Sequence, residues 1–175
     1  MDLNSHSIGE NDTMRKHFIG ATGLVGATAL LVGCSSAPAQ TSTGSDERPT
    51  TEQIQALFAD WNASLATGDP QKVADRYAPN AVLLPTVSNQ VRSSRAEIVD
   101  YFEHFLLNEP SGTILDSHVA VLDADDAIDA GTYRFALTKD GKATTVDARY
   151  TFVYEKVGGK WLIVNHHSSA MPEQV

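Results

Sequence analysis

Trp161-Leu162-Ile163-Val164-Asn165-His166-His167-Ser168-Ser169-Ala170-Met171-Pro172 reads as a strand that ends in chemistry, and the rest of the chain is arranged to meet it. Trp161, Ile163 and Val164 have the aromatic and β-branched character of a half-buried strand. A period of two sets Trp161, Ile163, Asn165, His167 and Ser169 on one face, and Leu162, Val164, His166 and Ser168 on the other. Two imidazoles and two hydroxyls in succession are costly to bury without partners. The strand end therefore either frays into water or lines a polar pocket.

Upstream of this strand the pattern stays extended, with strands expected over 119–122, 127–138 and 143–157. Lys139-Asp140-Gly141-Lys142 and Val157-Gly158-Gly159 carry hairpin signals, so consecutive strands pair antiparallel into a curved sheet. Asp123, Asp125 and Asp126 lack the glycine and terminal glutamate of a calcium loop and read as a solvated turn. Earlier still, Ile54, Leu57, Phe58, Trp61 and Leu65 form the stripe of a helix over 51–66, opened by a Thr50/Gln53 capping box. Asp69-Pro70 starts a second short helix through Tyr77. Ala81 to Leu84 form a short strand that Pro85 ends, and Ser94/Glu97 cap a third helix with Ile98, Tyr101, Phe102, Phe105 and Leu106 facing inward. Three helices before a meander give an α+β cone, with a pocket between the sheet and the third helix.

Of 175 residues, 42% are hydrophobic, enough for the core of one domain, and the formal charge is -9. An acidic surface without a basic stripe argues against nucleic acid or an anionic membrane surface as partner. Arg15-Lys16-His17 followed by an apolar run to Gly33 has the order of a secretory signal over 1–33, with Met14 an alternative start. The sole cysteine, Cys34, follows Leu31-Val32-Gly33 as in a bacterial lipobox, so its thiol is expected to carry lipid. A small, polar tether fills 34–48, and the folded domain spans 49–175. The expected location is the periplasm or cell exterior, held to a membrane by the lipid alone.

The cone resembles that of nuclear transport factor 2 and ketosteroid isomerase, a scaffold with many functions. Leu84 to Asn89, Asp100-Tyr101-Phe102, Ala148 to Tyr154 and the His166 to Pro172 ending resemble the iota class of carbonic anhydrases, a family also grouped with the association domain of a calcium/calmodulin-dependent kinase. The resemblance implies a lyase that hydrates carbon dioxide reversibly to bicarbonate and a proton, and a homodimer. Carried over by motif position, the catalytic set is Thr86, Tyr101, His167 and Ser169, with Thr86, Tyr101, Ser169 and Arg149 meeting the substrate. Ser88, Tyr133 and Tyr150 stay open as alternatives to Thr86 and Tyr101, and Arg149 as a partner of a carboxylate.

Members of the class work with and without metal, zinc or manganese among the former. Four histidines follow Cys34: His104, His118, His166 and His167. The last two alternate across a regular strand, so a three-histidine zinc site needs a bulge or another ligand. The expectation is a metal-free site, with His166 or His167 the candidate ligand otherwise. A steroid-isomerase-like reaction is disfavoured because no acidic residue is evidently inside the cone. The other alternative is a non-catalytic module of the same fold that binds a small molecule or assembles.

Overall fold

Five strands form one sheet in the order β1-β5-β4-β3-β2, in a computed structural model that describes residues 47–172. They are β1 (Tyr77–Leu84), β2 (Ser111–Val121), β3 (Asp126–Lys139), β4 (Lys142–Val157) and β5 (Lys160–Ala170). β2 to β5 make an antiparallel meander, and β1 joins the edge parallel to β5. Helices α1 (Thr51–Leu65), α2 (Pro70–Ala74) and α3 (Arg95–Phe105) precede the meander. The α+β cone expected from the sequence is therefore observed. The signal segment, Cys34 and all but the end of the 34–48 tether lie outside the described residues.

Local chemistry places the helices. Thr50 accepts a hydrogen bond from the Gln53 amide and the Gln53 side chain accepts one from the Thr50 amide, which completes the capping box of α1. Asp69 caps α2 through the Gln71 amide, with Pro70 in the first turn. Ser94 caps α3 through the Glu97 amide, while the Glu97 carboxylate accepts from Ser93. The inward stripe of α1, comprising Ile54, Phe58, Trp61 and Leu65, is buried against the sheet. Full burial of each such side chain stabilises by roughly 1.5–3 kcal/mol.

Two boundaries differ from the sequence reading. α2 ends at Ala74, and Tyr77 opens β1 rather than closing the helix. β2 begins at Ser111, eight residues before the expected start, because its pairing with β3 overrides the weak apolar signal of Ser111 to His118.

Two bulges shape the inner face. In β2, Leu115 is extra against β3, since Ile114 pairs with Tyr133 and Asp116 with Thr132. Beside it the Asp116 carbonyl accepts from the Tyr150 hydroxyl at 3.4 Å and passes over Gly131, where a Cβ would lie 2.0 Å from that oxygen. In β5, Val164 is extra against β4, since Tyr154 pairs with Ile163 and Val153 with Asn165. A bulge of one residue reverses the alternation after it. Ile163 and His166 consequently share the inner face.

Candidate active site

That reversal relocates the chemistry. His166 pairs with buried Phe152 and Ser168 with buried Tyr150, whereas His167 and Ser169 pair with Thr151 and Arg149 on the outer face. The expected inward pair of His167 and Ser169 is thus corrected to His166 and Ser168. Arg149 is also exposed on the outer face, its guanidinium donating to the Ala170 carbonyl at 3.5 Å, so it does not meet a ligand inside the cone. Thr86 and Tyr101 do reach the cavity, together with Tyr133, one of the residues that sequence alone left open.

The cavity is about 60 Å3. Its walls are apolar: Leu83 and Pro85 from β1 and its exit, Phe102 and Phe105 from α3, Phe135 and Leu137 from β3. Apart from the Tyr101 hydroxyl, its polar groups belong to one connected set. The Trp61 indole donates to the Tyr77 hydroxyl at 3.1 Å, and that hydroxyl lies 2.9 Å from His166 Nδ1. Tyr133 lies 3.5 Å from His166 Nε2 and donates to Ser168 Oγ at 2.5 Å. Ser168 and Thr86 share a short hydrogen bond at the cavity. The His166 ring stacks on Phe152 with centroids 4.0 Å apart, and Trp61 meets it edge-on.

Burial fixes the protonation states. It pulls the His166 imidazole from 6.5 down to about 3, with charge repulsion from His167 as the smaller cause. Burial likewise pushes the Tyr133 phenol up, against the hydrogen bond to Ser168, and the Tyr101 phenol up, against the Arg92 guanidinium. At neutral pH the site holds a neutral imidazole and intact hydroxyls.

A stability consequence follows for His166, whose folded value is depressed. Its contribution is fully present above about 6.5 and is lost as pH falls toward about 3, because only the unfolded chain takes the proton. The expected slope from this group is about 1.4 kcal/mol per pH unit within that window. Proton uptake on urea unfolding at pH 5 should be close to one proton larger for the wild type than for His166→Gln.

An acid inside the cone went unread in the sequence. Asp129 is 1% exposed, and its Oδ1 accepts from Ser117 at 2.7 Å and from Tyr150 at 3.1 Å. Its Oδ2 and the Tyr154 hydroxyl are buried without a hydrogen-bond partner among the described residues. Burial raises the Asp129 pKa from the ordinary 3.8, opposed by the Ser117 and Tyr150 hydrogen bonds. A raised folded value makes the ionised form a liability, so stability from this group is highest below 3.8 and is lost as pH rises through the folded value. Asp129→Asn is expected to stabilise the protein at pH 7 by about 1–3 kcal/mol, the cost of an unsatisfied buried group. In urea titrations that advantage should shrink as pH falls toward 4. Asp129 is absent from the cavity lining around His166.

The donor set does not fit a protein-held zinc ion. His166 is the one histidine lining the cavity, and both its ring nitrogens face tyrosine hydroxyls. Among the described residues no three histidine, cysteine, aspartate or glutamate side chains converge.

Solved structures place this architecture in the nuclear transport factor 2-like, or cystatin-like, class of α+β folds. A protein of Novosphingobium aromaticivorans described as a scytalone dehydratase is 13% identical, with TM-score 0.61 over 68% of this chain and 82% of its own. The association domain of the Caenorhabditis elegans calcium/calmodulin-dependent kinase II is 15% identical, with TM-score 0.57 over 68% and 94%. Both likenesses show the fold alone. A crystal structure from Xanthomonas campestris, described as a calcium/calmodulin-dependent protein kinase II association domain, is 61% identical over 72% of this chain and 91% of its own, with TM-score 0.71. The family model of that association domain matches residues 50–172. The chain belongs to the calcium/calmodulin-dependent protein kinase II association domain family. No curated protein matches it.

Proposed function

We propose that the cone cavity hydrates carbon dioxide reversibly, as an iota-type carbonic anhydrase. The observation that carries this is the cavity itself: about 60 Å3, walled by aliphatic and aromatic side chains, with Thr86, Ser168, Tyr133 and Tyr101 hydroxyls gathered beside a neutral imidazole. Pockets for steroid- or polyketide-sized ligands are typically 300–1,000 Å3, so a ligand of a few atoms fits better. The dry wall suits carbon dioxide, and the hydroxyls suit the charge that grows on its oxygen.

In the forward direction a water oxygen attacks the carbon, one carbon–oxygen π pair moves onto oxygen, and the water releases a proton to bulk solvent. The product is bicarbonate. With its pKa drawn to about 3, His166 is too weak a base to hold that proton at neutral pH. Its role is to hold Tyr133, and through it Ser168, in place. Acceleration then comes mainly from donors set in advance around the developing anion.

Stopped-flow hydration of carbon dioxide by the full chain, with and without prior chelator treatment, tests the reading. Catalysis above buffer in both samples supports it, and none in either ends it. The second reading, an assembly module, draws on family membership. The outer sheet face that carries Arg149, Thr151, His167 and Ser169 suits a homodimer, and light scattering separates a dimer from a larger ring. The export reading, with Cys34 lipidated, belongs to the same proposal and is checked by the mass of the membrane-bound chain.

A further inference from the structure

The hydrogen-bonded set that runs from Trp61 to Thr86 has a direction, and one residue fixes it. An indole N–H can only donate, so the Tyr77 oxygen accepts from Trp61. The Tyr77 hydroxyl is enclosed, and its own hydrogen has one acceptor in reach, His166 Nδ1 at 2.9 Å. If Nδ1 carried the proton instead, two donors would face the Tyr77 oxygen and the tyrosine hydrogen would be buried without an acceptor. The imidazole proton therefore sits on Nε2 and points to the Tyr133 oxygen. Tyr133 in turn donates to Ser168, and the bond between Ser168 and Thr86 uses one of their two hydroxyl hydrogens, either residue being able to donate it. The other of those two hydrogens ends the series and is left for the cavity. Tyr101 also lines the cavity, and its hydroxyl makes no hydrogen bond among the described residues.

We infer that Trp61 and Tyr77 are positioning residues that lock His166 as its Nε2–H tautomer, so that the cavity presents hydrogen-bond donors and selects a small oxyanion as its ligand. This rests on the cavity assigned above and specifies its ligand chemistry, but it does not require turnover. A donor-only ligand such as methylammonium finds no carboxylate among the lining residues and no free nitrogen on His166. A carboxylate or bicarbonate oxygen meets the spare hydrogen of the Ser168–Thr86 pair and the hydroxyl of Tyr101.

The test uses the full chain labelled with nitrogen-15 at histidine, with formate as an acceptor-only probe. At pH 7 the wild type should show protonated Nε2 and unprotonated Nδ1 at His166, and formate but not methylammonium should shift those resonances. Tyr77→Phe keeps the ring and removes the relay hydroxyl. It should bring the Nδ1–H form into the spectrum and weaken formate binding about fivefold to tenfold, the net worth of a lost hydrogen bond. Thr86→Val should weaken formate similarly and leave the tautomer unchanged, which a merely structural defect would not do.

An Nδ1–H signal in the wild type overturns the inference, as does formate binding that is unaltered in Thr86→Val. If Tyr77→Phe fails to fold, the wild-type tautomer and Thr86→Val still decide. Hydration activity together with a wild-type Nδ1–H form would leave the proposed reaction standing and remove only this inference. The Nε2–H tautomer with formate binding but no hydration would do the reverse.

Discussion

Ser168→Ala should reduce carbon dioxide hydration by about 10²-fold, the usual effect of losing one preorganised donor to a developing oxyanion. Ser168 joins Tyr133 to Thr86, so its loss both removes a hydroxyl from the cavity and breaks the series that orients Thr86. On the proposed reaction the fall should appear in kcat, because the apolar wall of the cavity is untouched. His167→Ala and Ser169→Ala lie on the other side of the sheet and should stay within about twofold of wild type, as ordinary surface substitutions do. The reverse ranking, with His167→Ala inactive and Ser168→Ala active, would refute the site.

Gly131→Ala should be among the most damaging substitutions to stability, by more than about 3 kcal/mol, beyond the ordinary range of overpacking. The added Cβ would lie 2.0 Å from the Asp116 carbonyl oxygen and 2.8 Å from its carbon, both backbone atoms of the neighbouring strand. Relief requires undoing the bulge at Leu115. Gly112→Ala offers a contrast: its nearest atoms, Phe58 Cζ at 3.0 Å and Phe135 Cε1 at 3.2 Å, belong to side chains that can shift. A cost of about 1–2 kcal/mol is expected there. Urea unfolding of the two variants beside the wild type checks the order.

The architecture was readable because each level of the sequence agreed with the next. The α1 stripe, the three N-caps and the two glycine hairpins are local signals, and the structure realises them where they stand. Ser111 to His118 failed as a strand signal because its identity comes from pairing with β3, a long-range property. Tyr77 opens β1 because the residues after Ala74 do not sustain the helix. The most instructive miss is the choice between His166 and His167. Alternation gives the correct face for Trp161 to Ile163, but no feature of Val164 announces the extra residue that changes it. Asp129 was within reach, since it shares parity with Tyr133 and Phe135 on the same strand. A carboxylate between Ile128 and Ala130 carries no local mark of burial, because its partners Ser117 and Tyr150 come from other strands.

The bulge at Val164 also explains why the ending repeats itself. Histidine and serine each occur twice in a row, so a strand of the same length without the bulge would turn His167 and Ser169 toward the hollow in place of His166 and Ser168. The same imidazole–hydroxyl spacing would then face the hollow, one position further along the strand. A tandem pair of this kind tolerates a slip in strand frame that would abolish a site built from single copies.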